Sequence, residues 1–170
     1  KRIIVLASQN IQVGWRSTIY NPKKGDNQCT GDTYEIPEAI SDQPVHDLDK
    51  SVNRQIKSFY ELYGYTSFAN RIKRSLKKEI GVISHEDISD PDILHRVKDV
   101  IRSNYSDRTL IIDEVHNIRS GSESDVRDTL FYIELVVTYS HNLKLILLTA
   151  NPMFNQPDEI LWILNLLRLN

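Results

Sequence analysis

Apolar residues recur along this chain in two rhythms. Ile3-Ile4-Val5-Leu6 is a continuous, mostly β-branched run of the kind that forms a strand buried on both faces. Leu110-Ile111-Ile112 and the run 143–148 repeat that pattern. Elsewhere the spacing changes to three and four residues, the period of an amphipathic helix. Ile11, Trp15 and Ile19 predict a helix capped by Asn10 and ended by Asn21-Pro22. Val52, Ile56, Phe59 and Tyr63 predict a second helix over 48–63, followed by a short Tyr63-Gly64-Tyr65-Thr66 element. Phe68, Ile72, Leu76 and Ile80 predict a third, capped by Thr66 or Ser67 and stopped by Gly81. Ile93, Val97, Val100 and Ile101 predict a fourth, with Asp90 as its cap and Pro91 in its first turn. Val126, Leu130, Ile133 and Val137 place a long helix over 122–140. A last helix is expected over 157–169, with Asp158 and Glu159 near its positive end.

Three buried strands separated by helices specify an α/β layer fold with a mainly parallel sheet. Residues 21–50 are polar and rich in turn formers, and are expected to form a surface insertion. In such folds ligands collect beyond the carboxyl ends of the strands. That rule singles out Ser8-Gln9-Asn10, Asp113-Glu114 and Thr149-Ala150-Asn151.

Composition narrows the function less than the pattern does. At 170 residues, 40% hydrophobic and 26% charged, the chain suits one domain with an ordinary core. A net charge of −2 gives no overall nucleic-acid signature, so any such binding must come from local patches. The lone Cys29 cannot form a disulfide within the chain and fits a reducing, intracellular compartment. The apolar runs are too short to span a bilayer, so no membrane partner is expected. The chain opens on Lys1-Arg2 and enters a strand at once, which is read as the mark of a fragment from a longer protein.

The sharpest chemical signal is Asp113-Glu114-Val115-His116. Two adjacent carboxylates at the tip of a buried strand are costly unless something uses them. Mg²⁺ is the natural user, since it prefers hard oxygen ligands and substrate phosphates. In this reading Asp113 holds Mg²⁺ through water and Glu114 deprotonates the water that attacks a γ-phosphate. His116 would sense the nucleotide. The plainer alternative is a strand that ends in acids because its end is wet. The helix after the pair and the next strand, with Thr149-Ala150 in its own loop, weigh against that alternative.

Together these residues resemble the first motor domain of superfamily-two helicases. Asp113-Glu114-Val115-His116 looks like the DExH box, the Walker B element. Thr149-Ala150 looks like the Ser/Thr-Ala-Thr motif that couples hydrolysis to strand movement, with Asn151 in place of its third residue. Ser8, Gln9 and Asn10 occupy the place of a motif that contacts the nucleic-acid backbone. Segments 29–34, 64–70, 111–119 and 149–155 are more narrowly similar to helicases of large nucleocytoplasmic DNA viruses, including poxvirus-type early-transcription ATPases. The resemblance implies a RecA-like P-loop NTPase fold, incomplete at its N-terminus. It also implies ATP and Mg²⁺ as cofactors, DNA or RNA as partner, and a second motor domain outside residues 1–170. Transcription machinery would be a further partner, and a viral factory or virion a possible location. One feature departs from the family: no Gly-Lys-Ser/Thr sequence, the phosphate-cradling end of a P-loop, occurs in the chain. The segment alone is therefore expected to be inactive.

Other features admit plainer readings. Arg71 and Arg74, with Lys73, Lys77 and Lys78, could contact phosphates, or form the solvated face of a helix. Tyr60, Tyr63 and Tyr65 could stack on bases, but packing is the simpler role. Trp15 and Trp162 read as packing. His85-Glu86-Asp87 and His95 match no metal motif. Two further functions remain open: a non-catalytic scaffold in a transcription or packaging complex, and an unrelated P-loop ATPase.

Overall fold

The computed structural model describes residues 2–21, 45–81, 86–119, 123–150 and 158–170. The elements are β1 (Ile3–Leu6), α1 (Gln9–Ile19), α2 (Val45–Phe59), β2 (Tyr60–Tyr63), α3 (Tyr65–Glu79) and α4 (Pro91–Tyr105). They continue with β3 (Thr109–Ile112), α5 (Glu123–Tyr139), β4 (Lys144–Leu147) and α6 (Asp158–Leu169). Short 3₁₀ turns occupy Asp87–Ser89 and Val115–Arg119. The four strands form one sheet in the order β2-β1-β3-β4, and every pair is parallel. The expectation of an α/β layer fold with a parallel sheet therefore holds, and the arrangement is consistent with part of a RecA-like domain.

The pleat sends alternate residues of each strand to opposite faces. Ile4 and Leu6 share one face with Glu61 and Tyr63 of β2 and with Leu110 and Ile112 of β3. That face carries the main core, where Phe68, Ile72 and Leu76 of α3, Val97 and Ile101 of α4 and Ile133 of α5 are all completely buried. Phe68 lies between the rings of Tyr63 and Tyr105, with centroids 5.8 and 5.6 Å away. On the opposite face a smaller cluster joins Ile19 and Tyr20 to Ile56 of α2, with Trp15 and Leu62 against it. α1 and α2 thus cover the β1–β2 half of the sheet.

The structure differs from the sequence reading in several places. The helix expected over 48–63 ends at Phe59, and Tyr60–Tyr63 forms a fourth strand. Glu61 is tolerated within it because Arg108 and Arg2 meet its carboxylate at 3.0 and 3.1 Å. The strand expected to be buried on both faces near 143–148 is instead half open. Ile146 and Leu148 are 42% and 39% exposed, because among the described residues no helix covers that side of β4. Ser8 rather than Asn10 stands at the N-cap of α1, and Gly64 rather than Thr66 or Ser67 at that of α3. Asp90 caps α4 as expected, accepting from the amides of Asp92 and Ile93, with Pro91 next to it. α6 buries Ile163 and Leu166 in the main core and leaves Leu161, Leu164 and Leu167 exposed. The expected insertion lies outside the described residues, apart from Asn21 and the start of α2, and so do Cys29, His85 and Asn151. Among the described residues, no helix is long and apolar enough to cross a membrane.

Candidate functional site at the carboxyl end of the sheet

Backbone pairing continues past the strands and fixes the acidic loop. The Asp113 amide donates to the Leu6 carbonyl at 2.9 Å, extending the β1–β3 ladder. Leu148 donates to Ile112, and Val115 returns to the Leu148 carbonyl at 3.0 Å. The turn between these bonds is sharp. Glu114 adopts φ +48°, a left-handed conformation that costs a side-chain-bearing residue roughly 1–2 kcal/mol. Such strain collects at sites where geometry serves a function.

Both oxygens of Asp113 are engaged. Oδ1 accepts the Glu114 amide at 3.0 Å, and Oδ2 accepts the indole N–H of Trp15 at 2.7 Å. The Tyr65 hydroxyl donates to the Asp113 carbonyl at 2.6 Å, with the Glu114 carbonyl 3.4 Å away. Burial pushes the Tyr65 hydroxyl up to about 12, the negative charges of Asp113 and Glu114 add to the rise, and the Ser8 backbone opposes it. Tyr65 therefore stays protonated, and a donor, throughout the neutral range.

His116 Nδ1 lies 2.8 Å from the Thr149 hydroxyl and 3.4 Å from Glu114 Oε2. Glu114 Oε2 is buried and makes no hydrogen bond. The structure thus brings Asp113, Glu114, His116 and Thr149 into one cluster, with Ala150 following in the same loop. Ser8 stands at the N-cap of α1, its backbone close to the Tyr65 hydroxyl. Gln9 and Asn10 are exposed in the first turn of α1. Arg71 and Arg74 have other partners: Arg71 donates to the Tyr63 hydroxyl at 2.6 Å and stands over its ring, while Arg74 donates to the Asn70 carbonyl.

The donor set suits a cation that shares its shell with water and phosphate. Among the described residues no three acidic, His or Cys side chains converge as an all-protein metal cage would require. One carboxylate with spare lone pairs is what Mg²⁺ uses beside substrate phosphates. The Glu114 side chain is 31% exposed, and its carboxylate is a fitting acceptor for a water proton.

Sequence reasoning missed Trp15 and Tyr65 as members of this cluster. A signal existed, since a partly buried indole or phenol needs a hydrogen-bond partner. It also missed a cleft between α1 and α2, lined by Arg2, Arg16, Asn53, Lys57, Tyr60 and Glu61.

Comparison with known proteins gives related sequences but no fold match. No family model matches the chain, and no solved structure matches it. A protein of Acanthamoeba polyphaga mimivirus named as an ATP-dependent RNA helicase is 26% identical over 161 residues, covering 83% of this chain and 13% of its own length. A Frog virus 3 protein named as a helicase is 28% identical over 141 residues, covering 83% of this chain and 12% of its own. A second mimivirus protein named as an ATP-dependent RNA helicase is 25% identical over 173 residues, or 99% of this chain and 25% of its own. The chain thus spans a quarter or less of these curated relatives. The chain is similar, at low identity, to proteins of large DNA viruses named as helicases.

Proposed function

We propose that this chain is the Walker B and coupling portion of a DExH-box first motor domain. In the full protein that domain couples ATP hydrolysis to movement on DNA or RNA, in viral transcription. The 2.8 Å contact of His116 with Thr149 carries the reading, because it joins the acidic pair to the loop of the next strand. Asp113 holds the Mg²⁺ of MgATP through water. The cation, when bound, neutralises charge on the phosphates. Glu114 accepts the proton of the attacking water. His116 senses the state of Glu114 and passes it to Thr149 and Ala150. Ser8, Gln9 and Asn10, with Arg71 and Arg74 on α3, contact the strand backbone. In this reading the phosphate-gripping loop and the second motor domain lie outside these 170 residues, which hold no Gly-Lys-Ser/Thr sequence and alone are expected not to hydrolyse ATP.

The test is ATP hydrolysis by the full-length protein, with and without DNA or RNA, beside Glu114→Gln. Nucleic acid is expected to stimulate hydrolysis, and the substitution to lower it by about 10²–10⁴-fold. A folded full-length protein that does not hydrolyse ATP with or without nucleic acid would leave the non-catalytic scaffold as the better account, and hydrolysis indifferent to Glu114→Gln would remove Glu114 from the chemistry.

A further inference from the structure

We propose that Trp15 and Tyr65 are positioning residues that clasp the start of α1 to the acidic loop, so that strand contact at Ser8, Gln9 and Asn10 sets the orientation of the Asp113 carboxylate. The inference rests on the roles given above to Asp113 and to the start of α1.

Indole carries a single donor and no acceptor. Trp15 directs that donor at Asp113 Oδ2, and a bond to an ionised oxygen is stronger than a neutral one. Since Oδ1 is held by the loop's own amide, the carboxylate plane is fixed by donors from two different elements. One of them belongs to α1, whose first turn presents Gln9 and Asn10 to solvent. A helix transmits displacement along its axis, and Trp15 lies about 9 Å along from Gln9. Two contacts make the transmission firm. The buried Gln12 side chain donates to the Ala7 carbonyl at 2.8 Å, tying the helix to the end of β1. The Trp15 ring packs against the Ile19, Tyr20 and Ile56 cluster, so it does not swing independently of the helix.

Tyr65 forms the second arm. Its hydroxyl donates to the Asp113 carbonyl at 2.6 Å, with the backbone of Ser8, the N-cap of α1, close by. Trp15 thus holds the side chain of Asp113 and Tyr65 its main chain, and both lead back to α1. This route is separate from that of His116 and Thr149, which leaves the acidic loop on the β4 side.

The 170-residue chain contains two tryptophans, so its proton–nitrogen NMR spectrum has two indole cross-peaks. Trp15→Phe identifies one of them. Trp162, bonded to Glu134 at 3.1 Å, serves as internal reference. The Trp15 peak is expected to move upfield in Asp113→Ala. A short single-stranded DNA or RNA oligonucleotide should shift it in the unsubstituted chain while Trp162 stays, and Tyr65→Phe should reduce that shift. Mn²⁺ alone should broaden the Trp15 peak through Asp113, and not in Asp113→Ala. If a labelled oligonucleotide binds by anisotropy and the Trp15 peak does not respond, the clasp is overturned while the helicase reading stands. If Asp113→Ala moves the peak but Mn²⁺ never broadens it, the metal role of Asp113 fails instead. An oligonucleotide that does not bind at all overturns the clasp together with the strand contact it depends on.

Discussion

Glu61 shows what one charged residue can do inside a sheet. Its side chain is only 6% exposed. Arg108 reaches it at 3.0 Å, Arg2 at 3.1 Å and Arg71 at 3.7 Å, and Tyr63 donates to it at 2.7 Å. Burial alone would raise its pKa, but the hydrogen bonds of Tyr63 and Arg108 and the charges of Arg108 and Arg2 outweigh it and hold the carboxyl below its ordinary value. A lowered folded-state pKa adds stability above the unfolded value of 4.5, and that stability is lost as pH falls through the folded value. Glu61→Gln is expected to cost about 3 kcal/mol at pH 7, since it leaves partly buried guanidinium groups without their acid. The difference should shrink as pH falls from 4.5 through the lower folded-state value, where wild-type Glu61 itself becomes neutral. Urea melts of both chains at pH 7 and pH 3 check this, and an unchanged difference would remove Glu61 as the origin. Nothing local in Tyr60-Glu61-Leu62-Tyr63 announces these partners, because Arg2 and Arg108 arrive from distant parts of the chain. The same holds for Trp15 and Asp113, 98 residues apart. The Asp113–His116 motif was legible because its chemistry is written in consecutive residues.

At the scale of elements, helices were legible wherever a local signal stood alone. The cap of α4 is the clearest case, since Asp90 and Pro91 act within one turn of themselves. Asp90→Ala is expected to destabilise the chain by about 1 kcal/mol, and Asp90→Asn by much less, as measured by thermal or urea unfolding. Equal losses from both substitutions would show that the charge, not the cap bond, matters. β2 was missed because two signals overlap. Val52, Ile56, Phe59 and Tyr63 keep helical spacing across the junction, while Tyr60 and Leu62 also alternate as a strand requires. Parallel pairing with β1 decides the matter in favour of the strand. β4 was recognised, but its burial was not. An apolar run specifies a strand, whereas the layers that cover it are set by the whole fold.

At the scale of the molecule, the sheet is thick on one side and half covered on the other. α3, α4 and α5 bury the first face, while Ile146 and Leu148 stay open on the second. The order β2-β1-β3-β4 places β1 between two strands that come later in the chain. Ile4 pairs with Glu61 on one side and with Leu110 on the other. That arrangement has a consequence for synthesis. At ribosomal speeds of roughly 5–20 residues per second, Ile3-Ile4-Val5-Leu6 waits about 5–20 s before its β3 neighbour has been made. Throughout that interval a strand with high β-propensity and no charge is open to pairing with other chains. Slowing initiation or lowering the temperature of expression should therefore raise the soluble fraction in a pulse-labelled solubility assay. The residues that form the centre of the finished sheet are the ones the growing chain must shelter longest.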